Sequence, residues 1–316
     1  MPCIFTVTFN PCIDTHTSVS KLQPDVKLPC AAPLVQPGGG GINVARAILR
    51  LGGHADAIFP CGGEHCRTLK VLLACEKVGY IAVGINGETR QNMIVRDRSS
   101  GLQYKFNMPG PRLDEEAVQG ILTALREQES VRYIVVSGSL PAGVSPDIFR
   151  EIRSIATLRN ALLIVDTSGE ALKGAVAAGA DLVKLSLHEL AAFADGRPLM
   201  TIDEIETTAA EILDSGVATV VISMGERGAL WVTRAGKGLI PSLQLKTQST
   251  VGAGDSMLAG IVLRLSMGSS IDEAVEYGVA CGTAATLQPG TTLCNRNDIV
   301  SILAGMRDMS NAAFSY

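Results

Sequence analysis

Aromatic residues, basic charge and long apolar runs are all scarce in this chain. Phe, Trp and Tyr make up 4% of its 316 residues, although 47% of them are hydrophobic. We therefore expect a core of Val, Ile, Leu and Ala, which is typical of parallel strands buried on both faces. A formal net charge of −4 offers no basic surface for nucleic acid. No run approaches the roughly 18 apolar residues of a membrane helix, and no basic stretch precedes an apolar one at the N-terminus, so we expect neither a membrane span nor secretion.

The patterns that indicate zinc sites or disulfides are also missing. The eight cysteines form no C-x-x-C pair, and Cys61, His65 and Cys66 do not fit a zinc spacing. Cys75 and Cys281 lie in apolar segments, where a cysteine behaves as a small hydrophobic residue. We therefore predict reduced cysteines and a cytoplasmic protein.

Short apolar segments alternate with helical ones along most of the chain. This alternation predicts a mostly parallel sheet with right-handed crossovers, within one α/β domain over residues 1–316. Two antiparallel strands, 229–233 and 238–245, are predicted to close one edge. A small accessory sheet, or lid, is predicted from segments 14–36 and 89–108, where a hairpin interrupts the alternation. The last ten or so residues are predicted to form a loose tail.

A glycine-rich turn at 249–256 leads into an apolar helix, which we predict over 253–266, so the last residues of the turn form the start of the helix. Its small residues allow a ligand close to the backbone, and the unpaired N–H groups of the helix start favour an anion such as phosphate. Asp255 lies in this turn, where its charge repels phosphate. It is either an N-terminal cap of the helix or a base that takes a proton from an attacking group.

A second glycine turn, Gly38 to Gly41, precedes another helix. It is not a dinucleotide fingerprint, because Val44 stands where the third glycine belongs, and Asp56 begins its strand instead of ending it, so a dehydrogenase is disfavoured. A Walker A lysine and a protein-kinase catalytic loop are also absent. Both glycine turns can line one edge of the sheet, the first holding a hydroxylated substrate through Asn43 and Asp14, the second holding the phosphates of a nucleotide.

With these residues in place, the chain resembles the PfkB, ribokinase-like, carbohydrate kinases over essentially its whole length. The two signatures are Pro37-Gly-Gly-Gly-Gly-Ile-Asn43-Val-Ala-Arg46 and Ser249-Thr-Val-Gly-Ala-Gly-Asp255-Ser256. Shorter matches indicate the phosphofructokinase and tagatose-phosphate kinase branch: Phe9-Asn-Pro-Cys-Ile-Asp14, Thr89-Arg90-Gln91-Asn92, Ser137-Gly-Ser139-Leu-Pro-Ala-Gly143, Val165-Asp-Thr-Ser-Gly169 and Ser223-Met-Gly-Glu-Arg-Gly228. The resemblance implies a three-layer α/β/α fold with a small β-sheet lid.

The resemblance also implies roles for individual residues. Asp255 would be the base for the attacking hydroxyl, and the anion hole would be formed by Gly252, Ala253 and Gly254. Residues that would hold the sugar hydroxyls are Asp14, Gly39, Asn43 and Ser139. Residues that would meet the substrate's own phosphate are Lys27, Arg90 and Asn92.

Nucleotide and cation sites follow from the same resemblance. Residues that would bind the nucleotide are Lys184, Ser186, Ser223, Gly225, Gly228, Thr247 and Thr283. Glu189 would handle Mg²⁺. Some relatives bind a monovalent cation such as K⁺, which here would be surrounded by Ser249, Val251, Ala285, Gln288, Gly290 and Thr292.

Two positions depart from the family pattern. The usual Asn-x-x-Glu after the Lys184 strand reads Ser186-Leu187-His188-Glu189, which affects metal and nucleotide handling. Pro29 stands where phosphofructokinases often carry a second basic residue after Lys27, which affects the phosphate pocket.

The activity implied is an ATP- and Mg²⁺-dependent phosphorylation of a ketohexose phosphate in glycolysis, fructose 6-phosphate to fructose 1,6-bisphosphate first of all. Tagatose 6-phosphate, or fructose 1-phosphate phosphorylated at O6, are the alternative substrates. A non-catalytic sensor of sugar phosphate is the alternative from another class of protein. The relatives also imply a homodimer that forms through the lid, and no nucleic-acid or membrane partner is expected.

Overall fold

The computed structural model describes residues 3–194, 196–199, 201–288, 290 and 292–313. Within them, the strands in chain order are β1 (Ile4–Val7), β2 (Cys12–Val19), β3 (Leu34–Gly38), β4 (Asp56–Cys61), β5 (Gly79–Gly84), β6 (Arg90–Asp97), β7 (Gln103–Phe106), β8 (Tyr133–Ser137), β9 (Leu162–Asp166), β10 (Leu182–Ser186), β11 (Thr219–Ser223), β12 (Ala229–Thr233) and β13 (Gly236–Ile240). The helices are α1 (Gly40–Arg50), α2 (Gly63–Cys75), α3 (Glu115–Arg126), α4 (Ile148–Arg159), α5 (Gly169–Ala177), α6 (Leu187–Phe193), α7 (Ile202–Asp214), α8 (Ala253–Ser266), α9 (Ile271–Thr286) and α10 (Arg296–Ala313).

Two sheets are built from these strands. The main sheet has the order β13-β12-β11-β10-β9-β8-β1-β4-β5, and the lid has the order β3-β2-β6-β7. All neighbours in the main sheet pair in parallel except β11 with β12 and β12 with β13. The predicted antiparallel edge and the predicted lid hairpin are therefore both confirmed, although the second edge strand is Gly236–Ile240 and not 238–245.

Successive residues of the central strands pack on opposite faces of the main sheet. In β8, Ile134 and Val136 join a core with α3 to α7, while Val135 joins a second core with α1, α2 and α8 to α10. In β9, Leu163 and Ile164 divide in the same way. Strands buried on both faces have no polar side to present, which explains their continuous Val, Ile and Leu runs. The predicted three-layer α/β/α fold is confirmed.

The parallel strands bring polar residues to one edge of the main sheet. Ser137, Asp166, Ser186 and Ser223 are the last residues of β8, β9, β10 and β11. They are in register, with Ser137 opposite Asp166 and Ser186 opposite Ser223. Because ligands of open α/β sheets collect outside the carboxyl ends of the strands, this edge is where a site is expected.

The C-terminal segment differs from the prediction. The part of the predicted tail up to Ala313 instead continues α10, and the last three residues of that prediction lie outside the described ranges. Ile299, Ile302 and Met306 are spaced at three and four residues and are buried against the core that contains α9. This apolar stripe stabilises the helix against the rest of the molecule.

The prediction that all cysteines are reduced is wrong for one pair. Cys61 and Cys66 form a disulfide, with their Cα atoms 5.2 Å apart. Cys61 ends β4, and the Gly62-Gly63 turn, in which Gly63 has φ +72°, reverses the chain so that the first turn of α2 brings Cys66 back. The other six cysteines are free. Among the described residues, none of the helices combines the length and apolar composition that a membrane crossing needs.

Candidate active site

Asp255 lies inside the first turn of α8 and does not cap it. The N-cap is Gly252, with φ 76°, and no side chain caps this helix start. The carboxylate of Asp255 instead accepts a hydrogen bond from Nδ2 of Asn43, at 2.9 Å. The alternative that Asp255 is an N-terminal cap is therefore wrong, and the N–H groups of the turn stay free of side-chain caps.

Asp255 titrates close to neutral pH because of its surroundings. Burial raises the pKa of Asp255 to about 6, and the neighbouring Asp166 carboxylate acts in the same direction. The hydrogen bond from Asn43 and the charge of Lys184 lower the pKa, and Asp14 raises it again. A carboxylate with such a pKa is ionised at neutral pH and still basic enough to accept a proton.

A polar cavity surrounds Asp255. Its lining combines hydroxyls, two further carboxylates and one ammonium group, from Ser137, Gly138, Ser139, Asp166, Thr167, Ser168, Lys184, Glu189, Gly254 and Asp255. Lys184 donates to Asp166 across 2.9 Å, and both side chains are nearly inaccessible. Burial acts to lower the pKa of Lys184, but the Asp166 carboxylate outweighs burial and raises it, so the ammonium stays charged.

A second, more apolar cavity lies on the other side of Gly254. It contains five of the predicted nucleotide-binding residues: Ser223, Gly225, Gly228, Thr247 and Thr283. Leu243, Leu245, Met257 and Val279 supply apolar walls suited to a flat ring. Gly254 lines both cavities, and a Cβ there would lie 2.9 Å from Nζ of Lys184. The two cavities thus meet at the glycine turn of α8.

The other two predicted nucleotide residues lie elsewhere. Lys184 lines the polar cavity, and Ser186 is the N-cap of α6. Ser186 and Glu189 form a capping box: Oγ of Ser186 accepts from the Glu189 N–H, and the Glu189 carboxylate accepts from the Ser186 N–H at 2.6 Å. Glu189 also lines the polar cavity. The S-x-x-E pattern is a capping-box signature that the sequence prediction overlooked.

Asp14 and Asn92 form one polar group at the lid. They are opposite each other in β2 and β6, and Nδ2 of Asn92 donates to the Asp14 carboxylate at 3.0 Å. A Cβ on Gly38 would lie 2.6 Å from that carboxylate, so the first glycine turn passes directly beside it. Asp14 therefore lies beside the first glycine turn, close to Gly38.

Arg90 lies at the junction of the lid and the main sheet. Its guanidinium donates to the carbonyls of Asn10 and Met108, both at 3.0 Å, while its Nε is buried without a partner. Asn10 in turn donates from Nδ2 to Oγ of Ser139, at 3.1 Å. Arg90, Asn10 and Ser139 therefore form one group. Lys27, by contrast, is exposed in the loop between β2 and β3.

The first glycine turn is joined directly to the second. Gly39, with φ 109°, is the N-cap of α1, and Asn43 in the first turn of that helix makes the hydrogen bond to Asp255. A Cβ on Gly39 would lie 2.8 Å from Thr8 and 3.2 Å from Cα of Pro11. Both the backbone angle and the space therefore require glycine here.

The predicted monovalent-cation residues come from two segments that meet at the end of α9. The N–H groups of Gln248 and Ser249 both donate to the carbonyl of Thr286. Ser249, Val251, Ala285, Gln288, Gly290 and Thr292 lie on these segments or next to them. Within the described ranges, no group of three or more His, Cys, Asp or Glu residues has the arrangement of a metal site.

Two site residues were missed in the sequence. Asp166 and Asn10 each occur in a recognised motif, but neither was given a role. Asp166 at least carries a usable signal, because an acidic residue at the carboxyl end of a buried parallel strand is a common ligand position.

Comparisons with known proteins agree with this geometry. The family model described as pfkB family carbohydrate kinase matches residues 7–298. ATP-dependent 6-phosphofructokinase isozyme 2 of Escherichia coli (strain K12) is 44% identical over 303 residues, which cover 95% of this chain and 98% of that protein. The enzyme of the same name from Mycobacterium tuberculosis (strain CDC 1551 / Oshkosh) is 40% identical over 300 residues, covering 94% and 88%.

Solved structures support the same relationship. The crystal structure of phosphofructokinase-2 from Escherichia coli in complex with potassium is 43% identical, with a TM-score of 0.92, covering 97% of this chain and all of that chain. Ribokinase from Thermotoga maritima is 21% identical with a TM-score of 0.77, covering 96% and 100%, which shows a shared fold. The chain belongs to the pfkB family of carbohydrate kinases and is a phosphofructokinase-2 homologue.

Proposed function

We propose that this protein transfers the γ-phosphoryl group of ATP to O1 of fructose 6-phosphate. The observation that carries the proposal is the position of Gly254 and Asp255: the glycine lines both cavities, and the carboxylate faces the polar one. ATP in the apolar cavity would direct its γ-phosphate toward the glycine turn. A sugar phosphate on the lid side would bring its hydroxyl to Asp255.

The residues present account for the bond that forms, the bond that breaks and the proton that is released. The O1 hydroxyl attacks the γ-phosphorus, the bond from that phosphorus to the β,γ-bridging oxygen breaks, and ADP leaves. The proton of the hydroxyl passes to the Asp255 carboxylate. The N–H groups of the Gly252–Gly254 turn and the Lys184 ammonium stabilise the charge on the transferring phosphoryl group, which in this reaction class matters more than the strength of the base.

The sugar is proposed to lie between the lid and the first glycine turn. Asp14, Asn43 and Ser139 supply acceptors and donors for its hydroxyls, with Gly39 leaving room. Arg90, whose unpaired Nε and fork geometry suit a phosphate, would hold the substrate's own phosphate with Asn92. Lys27 is proposed to join them only after a movement of its exposed loop.

Cations are proposed to assist at two places. The Glu189 and Asp166 carboxylates offer the oxygen ligands that Mg²⁺ prefers, and the ion would neutralise charge on the ATP phosphates. The segments around Thr286 would hold K⁺, an ion present in a crystal structure of the Escherichia coli relative. The cytoplasmic location stays a prediction.

A panel of substrates tests this proposal. ATP turnover would be measured with fructose 6-phosphate, tagatose 6-phosphate, fructose 1-phosphate and fructose, with and without Mg²⁺ and K⁺. We expect the largest kcat/KM with fructose 6-phosphate, and a product phosphorylated at O1. Relatives named D-tagatose-1-phosphate kinase (31% identical) and 1-phosphofructokinase (28–32% identical) justify the wider panel. Binding of a sugar phosphate without any turnover would favour the non-catalytic sensor instead.

We also propose a homodimer formed by lid-to-lid packing. The face of the lid that points away from Asp14 carries Val35, Met93, Tyr104 and Phe106, all of them exposed. Such an apolar sheet face is normally covered in solution. A structure of the Escherichia coli relative is described as its tetrameric inhibited form, so association of copies occurs in this family.

Light scattering at micromolar concentration tests the dimer. We expect the wild-type chain to have the mass of a dimer and Met93→Lys to have the mass of a monomer, because a buried charge without a partner disfavours association. Leu158→Lys is the matched control, since Leu158 is 86% exposed on α4, away from the lid, and should leave the dimer intact. A monomeric wild-type protein would contradict the proposal.

A further inference from the structure

Arg46 is a fully buried charged residue that touches no substrate cavity. It lies on α1 with 0% of its surface exposed, and the guanidinium uses all three of its nitrogens. Nε and Nη2 donate to the two carboxylate oxygens of Glu76, at 3.0 and 2.6 Å. Nη1 donates to the carbonyl of Pro37 at 3.0 Å and to Oδ1 of Asn43 at 2.9 Å. A buried arginine held this completely has a fixed orientation.

The contact with Asn43 determines which way its amide group points. A guanidinium only donates hydrogen bonds, so the end of the amide that faces Arg46 must be its carbonyl oxygen. The NH₂ end must then face the opposite direction, where Asp255 lies 2.9 Å from Nδ2. Without Arg46 the amide would be held at one end only, by Asp255, so rotations that turn its oxygen toward the carboxylate would no longer be opposed from the other side.

We propose that Arg46, anchored by Glu76, is a positioning residue that fixes the Asn43 amide so that it donates to Asp255. A chain of hydrogen bonds runs from Glu76 at the end of α2, through Arg46 and Asn43 on α1, to Asp255 in the first turn of α8. It connects the two glycine turns. Arg46 acts only through Asn43 and touches no reacting atom. The proposal rests on the proposed function, in which Asp255 accepts the proton of the attacking hydroxyl.

The charges around Asp255 determine what loss of this hydrogen bond would do. Asp166 on β9, Lys184 on β10 and Asp14 on β2 act on Asp255 directly, and Glu189 on α6 lines the same cavity. Their own hydrogen bonds and ion pairs are made to residues other than Arg46, so a substitution of Arg46 leaves those contacts in place. The Asn43 hydrogen bond lowers the pKa of Asp255, and its loss therefore raises that pKa above about 6. Because the ionised form is the active one, the acid limb of the rate profile moves to higher pH.

The decisive measurement is the pH profile of kcat/KM for the sugar phosphate in Arg46→Met, between about pH 5 and pH 9. Loss of one hydrogen bond to a charged group corresponds to about one pH unit, so we expect the acid limb to move up by about that much. The rate should fall about fivefold near pH 6 and recover almost fully near pH 9. The KM for ATP should stay unchanged. Damage to the fold alone would lower the rate at every pH.

Arg153→Met is the matched control. Arg153 pairs with Asp181 on the opposite face of the sheet and has no contact with Asn43. This variant should lose stability and keep the wild-type pH profile. If Arg46→Met does not fold, Arg46→Lys replaces it: the single ammonium retains the charge beside Glu76, but it lacks the fork that reaches Asn43 at the same time. The same upward shift is expected.

The outcomes separate this inference from the proposed function. A wild-type protein that phosphorylates no sugar phosphate overturns the function itself. An active wild-type protein whose folded Arg46 variants keep the wild-type acid limb overturns the role of Arg46 alone. If the acid limb moves to higher pH in the Arg46 variants but not in the Arg153 control, the positioning role of Arg46 is established.

Discussion

Asp255→Asn is expected to lower kcat by about a hundredfold to ten-thousandfold, because the variant cannot accept the proton of the attacking hydroxyl. Binding of ATP and of the sugar phosphate should change little. The amide has almost the shape of the carboxylate, and its oxygen still accepts the hydrogen bond from Asn43. The loss should therefore appear in kcat and in kcat/KM to the same extent, which is the signature of an interaction made in the transition state.

The pH dependence provides an independent check on Asp255. In the wild-type protein the ionised carboxylate is active, so the rate should be maintained above a pKa of about 6 and lost as the pH falls through it. The residual rate of Asp255→Asn should lack this limb. Asp147→Asn is a suitable control, since Asp147 precedes α4 and pairs with the exposed Arg150. A variant that keeps more than about a tenth of the wild-type kcat would exclude Asp255 as the base.

The elements that were predicted accurately are those with a local signal. The helix predicted over 253–266 and the edge strand predicted over 229–233 have the predicted bounds. Each is a short periodic segment between turn residues, so its limits are determined by neighbours in the chain. The continuation of α10 to Ala313 was missed because the apolar stripe of Ile299, Ile302 and Met306 ends before the residues that were predicted to form a tail.

Among the site residues, too, those with a local sequence signal could be predicted, and those that depend on contacts between distant segments could not. The two glycine turns and Asp255 are recognisable because close approach to a ligand restricts both residue type and spacing. The Arg46–Glu76 pair is 30 residues apart in sequence, and nothing in either segment indicates that α1 and α2 place these charges together. The Cys61–Cys66 disulfide depends on a glycine turn whose conformation the sequence does not specify.

Arg90→Ala is expected to raise the KM for fructose 6-phosphate strongly and to leave the KM for ATP nearly unchanged. Loss of a charge-assisted, two-point contact with the substrate phosphate should cost about 2–4 kcal/mol of binding, which is roughly a thirtyfold to thousandfold change. The position of Arg90 supports this expectation, since its Nε is buried and unpaired beside the Asn10 and Ser139 group.

The same arginine also has structural contacts, so the test must separate its two roles. Its bonds to the carbonyls of Asn10 and Met108 connect the end of β1 to the lid, and alanine removes those as well. Fructose, which lacks the phosphate, distinguishes the roles: its low turnover should survive Arg90→Ala if Arg90 binds phosphate, and should fall equally if Arg90 only holds the lid. Arg98→Ala removes an exposed arginine from the turn after β6 and controls for net charge. Arg90→Lys should recover part of the affinity, because an ammonium restores the charge but not the fork that binds a phosphate at two points.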